Sequence, residues 1–478
     1  CMFYKISFFL FLTSIFLSNR SFSQDTTAQT YDLQQCIDIA IKNNPDVKQS
    51  QFTLESDKVY KREAVAGMLP GISGNISRSV YNGKSINPYT NSYINQQNTA
   101  DNYGLNASIV LWHGSSVVNF IKQNSLAYEA GKMDLQNAKD RLTINVILAY
   151  LSVLSEQEQL KIAKQQVVVT RQQVDRLTIE NNKGNIAPSD LYNTRGQLGS
   201  NEITVLTTQD ALTTARLNLA QLMNIPYAAN MELTPIATAI LSPYNGTMDD
   251  IYQYAIAHLP EVKAAELHDE SAKRAVRSAR GNLFPTLSLF GGFGTNYSSA
   301  AATSRLINTS DQQTNNYVMF NNDKLPVYAP ESNYSSSKVP YGSQWKNNLN
   351  SNIGLNLSIP ILNGLQARSR VKLSKIAEAQ TAFQQQTVKI LLRQAIERDF
   401  VSMTTAYETY KKFVQQVADY SESFREARIK FEAGAINSVD FVITENNMSQ
   451  ANFNLIAAKY NYIVQTKILD YYSGRLVL

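Results

Sequence analysis

The sequence predicts an α+β membrane protein made of two tandem copies of one unit, each a long coiled-coil helical hairpin joined to two barrel-type strands. Three observations predict it. The run from Ser115 to Lys183 falls on the run from Leu365 to Ala433 when the numbering is shifted by 250, and the turns that close the runs coincide as well: Gly184-Asn185-Ile186-Ala187-Pro188-Ser189-Asp190 and Gly434-Ala435-Ile436-Asn437-Ser438-Val439-Asp440. Within these runs apolar residues recur at alternating steps of three and four, the period of a helix packed on a helix. Four further segments, each about ten residues long, alternate between large apolar and small polar side chains, as membrane-barrel strands do. Length alone, 478 residues, suggests about three domains. An internal repeat replaces that expectation with one architecture in two halves.

Met2 is the expected start of translation, with Cys1 before it. Lys5, the apolar stretch Ile6 to Leu17 and then Ser21-Phe22-Ser23 read as a secretory signal over residues 1–23, with small residues at the cleavage positions. The apolar stretch of 12 residues is too short to span a bilayer as a helix. No cysteine follows it closely enough to carry a lipid. Nowhere else do 18 apolar residues run together, so an exported chain of this kind enters a membrane as part of a closed barrel.

The first unit is expected over residues 31–224. It opens on a short amphipathic helix (Leu33, Cys36, Ile37, Ala40, Ile41), breaks at Asn44-Pro45, and continues in a helix from Asp46 to Met68 stopped by Pro70. A counterpart lies 215 residues on, where Ile251, Ala255 and Ile256 lead to Leu259-Pro260 and Phe284-Pro285. Cys36 falls opposite Ile251, so it is expected to fill a small buried apolar position. It is the one cysteine of the mature chain, which excludes an intrachain disulfide.

Strands follow at about 71–81 and 103–112, and in the second unit at about 286–295 and 352–361. Ile72, Ile76 and Val80 alternate with Ser73, Asn75, Ser77 and Ser79; Leu105, Ala107, Ile109 and Leu111 alternate with Gly104, Asn106 and Ser108. Leu287, Leu289 and Phe293 oppose Ser288, Gly292 and Gly294, and Ile353, Leu355, Leu357, Ile359 and Ile361 oppose Asn352, Gly354, Asn356 and Ser358. A soluble half-exposed sheet has the same period of two, but its outer face carries Lys and Glu rather than Gly, Ser and Asn. Tyr81, Tyr103, Trp112 and Tyr297 near strand ends match an aromatic girdle. Leu105, Ala107, Leu355 and Leu357 are expected to face lipid. The segment from Ser298 to Asn350 is roughly 35 residues longer than its counterpart. It is expected as an aperiodic extracellular loop.

The long helix of the first unit presents Leu160, Ala163, Val167, Thr170, Val174 and Leu177 as a seam, and its copy presents Tyr410, Phe413, Val417, Tyr420, Phe424 and Ala427. At about 1.5 Å per residue the longer arm reaches on the order of 100 Å. After each glycine turn a second helix repeats every seven residues: Leu191, Leu198, Val205, Leu212 and Leu219, then Phe441, Met448, Leu455, Tyr462 and Leu469. A linker is expected over 225–247, and the second unit over 248–474.

Composition excludes several functions. A net charge of +5 spread along helices leaves no footprint for nucleic acid. The three histidines, His113, His258 and His268, have no metal-ligand spacing, and no cofactor is expected. Gly291-Gly292-Phe293-Gly294 sits in a strand and opens no helix, whereas a phosphate cradle requires both. No nucleophile and base can be paired, so the chain is not expected to be an enzyme. Four strands close no barrel, since the smallest have about eight; oligomerisation follows. The alternative is a periplasmic coiled-coil scaffold that never enters the membrane.

The ordered double occurrence of helix, strand, strand, long helix, glycine turn and helix, with Asn44-Pro45 or Leu259-Pro260 and Leu69-Pro70 or Phe284-Pro285 at the joints, resembles the TolC-like outer-membrane efflux family over about Tyr31 to Gly474. The resemblance implies a homotrimer with a 12-stranded outer-membrane β-barrel continued by a periplasmic α-barrel. It implies work with a periplasmic adaptor and an inner-membrane pump, in efflux or type I secretion. Gly184 and Gly434 then lie at the periplasmic tip, where adaptors dock. Asp440 matches the first acidic residue of the family's constriction; the second falls on Ile443, a departure. Ser189 and Asp190 match a polar pair that holds the family's tip shut, but its usual partners correspond to Ile436 and Phe431, which cannot make those hydrogen bonds. Ser189 and Asp190 are equally readable as N-caps, and Ser438 is the expected cap of the helix that follows the second turn.

Overall fold

A computed structural model of the chain describes residues 30–86, 92–95, 97–228, 230–236 and 241–475. The signal expected over residues 1–23 lies outside the described residues, as does part of the linker expected over 225–247. In chain order the elements are β1 (Thr30–Tyr31), α1 (Leu33–Asn43), α2 (Pro45–Ala66), β2 (Gly71–Tyr81), β3 (Lys84–Ile86), β4 (Tyr93–Asn95), β5 (Asn98–His113), α3 (Ser116–Asn182), α4 (Pro188–Leu222), β6 (Glu232–Leu233), α5 (Met248–His258), α6 (Pro260–Gly281), β7 (Thr286–Ser298), β8 (Ala302–Phe320), β9 (Asp323–Lys338), α7 (Tyr341–Asn347), β10 (Asn350–Ser358), α8 (Gln366–Glu432) and α9 (Ser438–Tyr472). Equivalent helices match residue for residue: 11 in α1 and α5, 22 in α2 and α6, 67 in α3 and α8, 35 in α4 and α9. Among the described residues no helix is long and apolar enough to cross a membrane.

The joints follow from proline. Asn44 and Leu259 hold extended backbone, with ψ of 130° and 133°, because the residue before a proline is pushed out of the helical region. Pro45 and Pro260 then open α2 and α6, where a missing N–H costs nothing. The chain forms two compact units: Phe52–Asp134 with Glu261–Val388, and the remaining described residues.

The second of these holds the main apolar core. Cys36, Ile37 and Ala40 on α1 are buried with Val146, Ile147 and Tyr150 on α3 and Leu212 and Leu219 on α4. Tyr150 is wholly buried; its hydroxyl lies 2.7 Å from the Thr234 carbonyl and 3.2 Å from that of Tyr31, closing the parallel β1–β6 pair. Cys36 is fully buried, and loss of water pushes its thiol up to about 12, so it packs as a small hydrophobe and does not react. The α3 seam is buried at Leu160, Ala163, Thr170, Val174 and Leu177. In the α8 seam only Ala427 is fully buried, while Tyr410, Phe413, Val417, Tyr420 and Phe424 are half-buried.

The other unit holds an antiparallel four-stranded sheet in the order β10-β7-β5-β2. Its register gathers the four alternating patterns onto common faces. Ile72 pairs with Ala107, Ala107 with Gly291 and Gly291 with Ile353; one row on, Leu105 pairs with Phe293, and on the other side Ile109 and Leu355 both pair with Leu289. One face is therefore apolar from strand to strand. The opposite face carries Asn75, Asn106 and Asn352 among glycines. A Cβ on Gly104 would come within 2.5 Å of Asn75 Oδ1, and one on Gly292 within 3.0 Å of Asn352 and Asn106, so the glycines there make room for amide side chains.

Three differences from expectation concern this sheet and its loops. β5 begins at Asn98, five residues before the expected 103, because Tyr81 to Ser77 continue to pair with Asn98 to Asn102. β10 ends at Ser358, short of 361, since Pro360 has no N–H for the ladder. The segment expected as an aperiodic loop contains the long β8–β9 hairpin and α7; polar side chains on both faces of that hairpin hid its period. The shorter loop between β2 and β5 likewise holds the β3–β4 pair.

Candidate functional site: the two glycine turns and the polar layer beside them

Both long helices end in the same way. Gly184 and Gly434 each have φ of +72°, the left-handed conformation that only glycine adopts without strain. Asn185 N–H donates to the Glu180 carbonyl at 3.0 Å, and Ala435 N–H to that of Lys430 at 2.8 Å, the six-to-one bond of a glycine-terminated helix. Asn185 and Lys183 also bind the Glu180 carboxylate, at 2.6 and 3.2 Å; the Asn185 amide, ahead of Lys183, holds that carboxyl below its ordinary range.

The helices that leave the turns start differently. α4 has Ala187 as its N-cap, makes no side-chain cap bond, and begins on Pro188, so neither Ser189 nor Asp190 caps it. In α9 the cap is Asn437, whose Oδ1 accepts the Asp440 N–H at 2.9 Å. Ser438 is therefore not the cap that sequence spacing suggests. Its side chain is buried, 3% exposed, and its hydroxyl donates to Asp190 Oδ1 at 2.7 Å. This bond ties the start of α9 to the start of α4, using a donor that neither Ile436 nor Phe431 supplies. The repeat concealed it, because Ser438 falls opposite Pro188, and no symmetric partner points to the pair.

Packing completes the junction. Phe431 stacks on Phe441 with ring centroids 4.6 Å apart, and the Arg176 guanidinium sits over the Phe431 ring at 5.7 Å. Val174, Leu177 and Leu191 form a small buried cluster against which Ile186 and Phe431 rest. Asp440, Ser189 and Ile443 are exposed, Asp190 and Ile436 half-buried. Of the residues singled out from sequence, the structure joins Asp190 and Phe431 to this junction and leaves Asp440, Ser189 and Ile443 on its surface.

A few helical turns away lies a polar layer that sequence reading missed. Glu445 on α9 is 2% exposed and accepts from Gln166 and, at 3.1 Å, from Thr170, both on α3. Asn201 Nδ2 donates to Thr170 at 2.8 Å, and Gln197 and Asn446 exchange two amide bonds of 2.9 and 3.2 Å. A polar groove of about 520 Å³ runs beside them. The signal was faint: Glu445 interrupts the half-apolar heptads of α9, and it falls opposite Arg195, so the two copies disagree there.

Burial raises the Glu445 carboxyl above its ordinary value, and the bonds from Thr170, Gln173 and Gln166 only partly counter this. The folded state thus holds that proton more tightly than the unfolded state does. Its contribution to stability is complete below the unfolded value of about 4.3 and is lost as pH rises through the raised folded value. Glu445→Gln keeps an acceptor without the buried charge. Its melting temperature is expected to exceed that of the wild type by an amount that grows between pH 4 and pH 8, at about 1 °C for each kcal/mol in a chain of this length. A constant gap across that range would show that the carboxyl is solvated in the folded protein.

Strands with one apolar face, joined to long helical hairpins that end in matched glycine turns, are the architecture of a membrane channel protein. Solved structures share this fold: the CmeC outer membrane channel of Campylobacter jejuni has a TM-score of 0.74 at 16% identity, covering 93% of this chain and 86% of that one. The outer membrane protein VceC of Vibrio cholerae has a TM-score of 0.74 at 13% identity, covering 93% and 97%. By sequence the chain is 22% identical to the outer membrane protein TolC of Escherichia coli (strain K12) over 448 residues, 91% of this chain and 81% of that protein. The model of the outer membrane efflux protein family matches residues 36–224 and 251–475, and the chain belongs to that family. It is an efflux channel protein of the outer membrane that extends into the periplasm.

Proposed function

We propose that three copies of this chain close a 12-stranded barrel in the outer membrane and a helical tube in the periplasm, forming the outer component of a tripartite efflux or type I secretion system. One observation carries the closure between copies, while the count of three is what the family resemblance implies: the sheet has four strands with a continuous apolar face, and among the described residues β2 and β10 each have one strand partner. An open edge in lipid leaves N–H and C=O groups unpaired at several kcal/mol each, and four strands are about half the smallest barrel. Pairing the β2 edge of one copy with the β10 edge of the next removes every edge. Gly184 and Gly434 are then the tip on which a periplasmic adaptor docks, with an inner-membrane pump behind it. The tube passes small molecules or proteins as that pump selects.

Within this reading Asp440 and Asp190 from three chains surround the pore at the tip, Asp440 exposed to it and Asp190 held by Ser438. Ser189, Ile436, Phe431 and Ile443 belong to the same constriction. Electron microscopy of detergent-solubilised protein tests the assembly. Particles with threefold symmetry and a single barrel are expected; a stable monomer with a separately closed sheet would overturn it.

A further inference from the structure

The short helix α7 belongs to the stretch that the second unit has and the first lacks, and it is bolted to the end of β7. Gln344, 3% exposed, accepts from Ser298 N–H at 2.9 Å and donates to the Ser298 carbonyl at 3.0 Å, as a neighbouring strand would. Thr295 Oγ1 donates to the Trp345 carbonyl at 2.9 Å, and Asn348 Nδ2 to the Asn296 carbonyl at 2.8 Å. So anchored, α7 lays Trp345 edge-on against Tyr103, centroids 4.6 Å apart, while Tyr341 meets Tyr103 hydroxyl to hydroxyl at 2.7 Å. Between this shelf and the sheet runs a groove of about 440 Å³ whose walls include Ile76, Leu105, Phe293, Trp345 and Leu349.

The groove lies on the apolar face, and its height can be placed. From Leu287 to Thr295 the apolar rows climb eight residues, about 27 Å along the strand and about 20 Å of membrane height at the usual barrel tilt, against an apolar band of about 25 Å. The next row outward is Arg78, Asp101 and Tyr297. Arg78 therefore stands in the apolar phase of β2 at the edge of the band, at the end of the strands that carries the loops. Asp101, 1% exposed, takes two of its five donors at 2.7 Å each, while the Arg78 side chain is 66% exposed. The pair fixes the guanidinium and leaves its outer edge open. Lys346, beside Trp345 on α7, is exposed as well.

We propose that this shelf seats one phosphorylated glycolipid of the outer leaflet, with an acyl chain in the groove and a phosphate on Arg78 and Lys346. The Ile76, Leu105 and Phe293 walls belong to the same apolar face as the rows below them, which selects a lipid chain over a protein segment. Arg78, exposed at headgroup level, and Lys346, exposed on the short helix that carries Trp345, select an anionic head, and guanidinium matches phosphate geometry. The chain passes from helix to strand and back at the opposite end, at Gly71, His113, Thr286 and Ser358, so the loop end of the strands is the outer one, which selects the outer leaflet.

The test is native mass spectrometry of delipidated protein in detergent, counting lipid per chain whatever the oligomer, with three probes: bisphosphorylated lipid A, the same glycolipid without phosphate, and dioleoylphosphatidylglycerol. Bisphosphorylated lipid A is expected to bind at one per chain and both other probes at least about tenfold more weakly, the scale of one charge-assisted contact. Arg78→Gln with Asp101→Asn, which replaces the ion pair by an amide pair and strands no buried carboxylate, is expected to abolish that preference. Trp345→Ala, which leaves the sheet intact, is expected to lower occupancy by lipid A and by the phosphate-free glycolipid alike. Equal binding of all three probes to the wild type, or tighter binding of phosphatidylglycerol, would overturn the proposal. So would variants that retain lipid A as the wild type does.

Discussion

Leu355→Arg is expected to stop assembly in the outer membrane, whereas Asn356→Arg, one residue further along the same strand, leaves assembly intact. Leu355 pairs with Leu289, which pairs in turn with Ile109, so this row is apolar across three strands and lies well inside β10. An arginine on the lipid face near the bilayer midplane costs about 2–4 kcal/mol per copy, and less near the interfaces. In the proposed trimer that cost is met three times. Asn356 pairs with Ser288 on the opposite face, where an arginine meets water and alters conductance instead. Heat-resistant oligomer on a gel, taken from the outer-membrane fraction, reads both variants. Loss at both positions, or at neither, would contradict the faces that the register assigns.

Those faces were legible because a strand in a membrane barrel must alternate, and alternation survives in sequence without any knowledge of partners. Ile72, Leu105, Leu289 and Leu355 were each assigned from their own strand, and pairing then placed them on one face. Helix boundaries were legible for a similar local reason, as Pro45, Pro260, Gly184 and Gly434 enforce backbone conformations by themselves. What stayed hidden depends on partners far apart in the chain. Ser438 looks like a cap because serine after a glycine turn usually is one; the structure gives that role to Asn437 and turns Ser438 toward Asp190. Glu445 reads as a solvated heptad position until Gln166 and Thr170, nearly 280 residues earlier, close over it. The β8–β9 hairpin was missed because its polar side chains carry no contrast between two faces.

Ser438→Ala is expected to widen the resting pore, read as a higher conductance in planar bilayers before any partner is added. The argument begins with the Ser438 hydroxyl at 2.7 Å from Asp190 Oδ1, a bond between the two tip turns of one chain. Any opening that parts α9 from α4 breaks it. Hydrogen bonds to a charged group contribute about 1.5–3 kcal/mol, so losing one shifts the balance toward open by about tenfold for each 1.4 kcal/mol lost. Asp190→Asn keeps an oxygen acceptor and should widen the pore less. Asp440→Asn leaves this bond and the Asn437 cap in place. It removes an exposed carboxylate, and because rings of carboxylates favour cations, it should reduce block by divalent cations applied from the periplasmic side without changing the resting conductance. The two readouts thus separate a mechanical tie from an electrostatic ring. If Ser438→Ala conducts as the wild type does while Phe431→Ala, which removes the stack on Phe441, opens the pore, the tip is held by aromatic packing. In that case the Ser438–Asp190 bond only orients the start of α9.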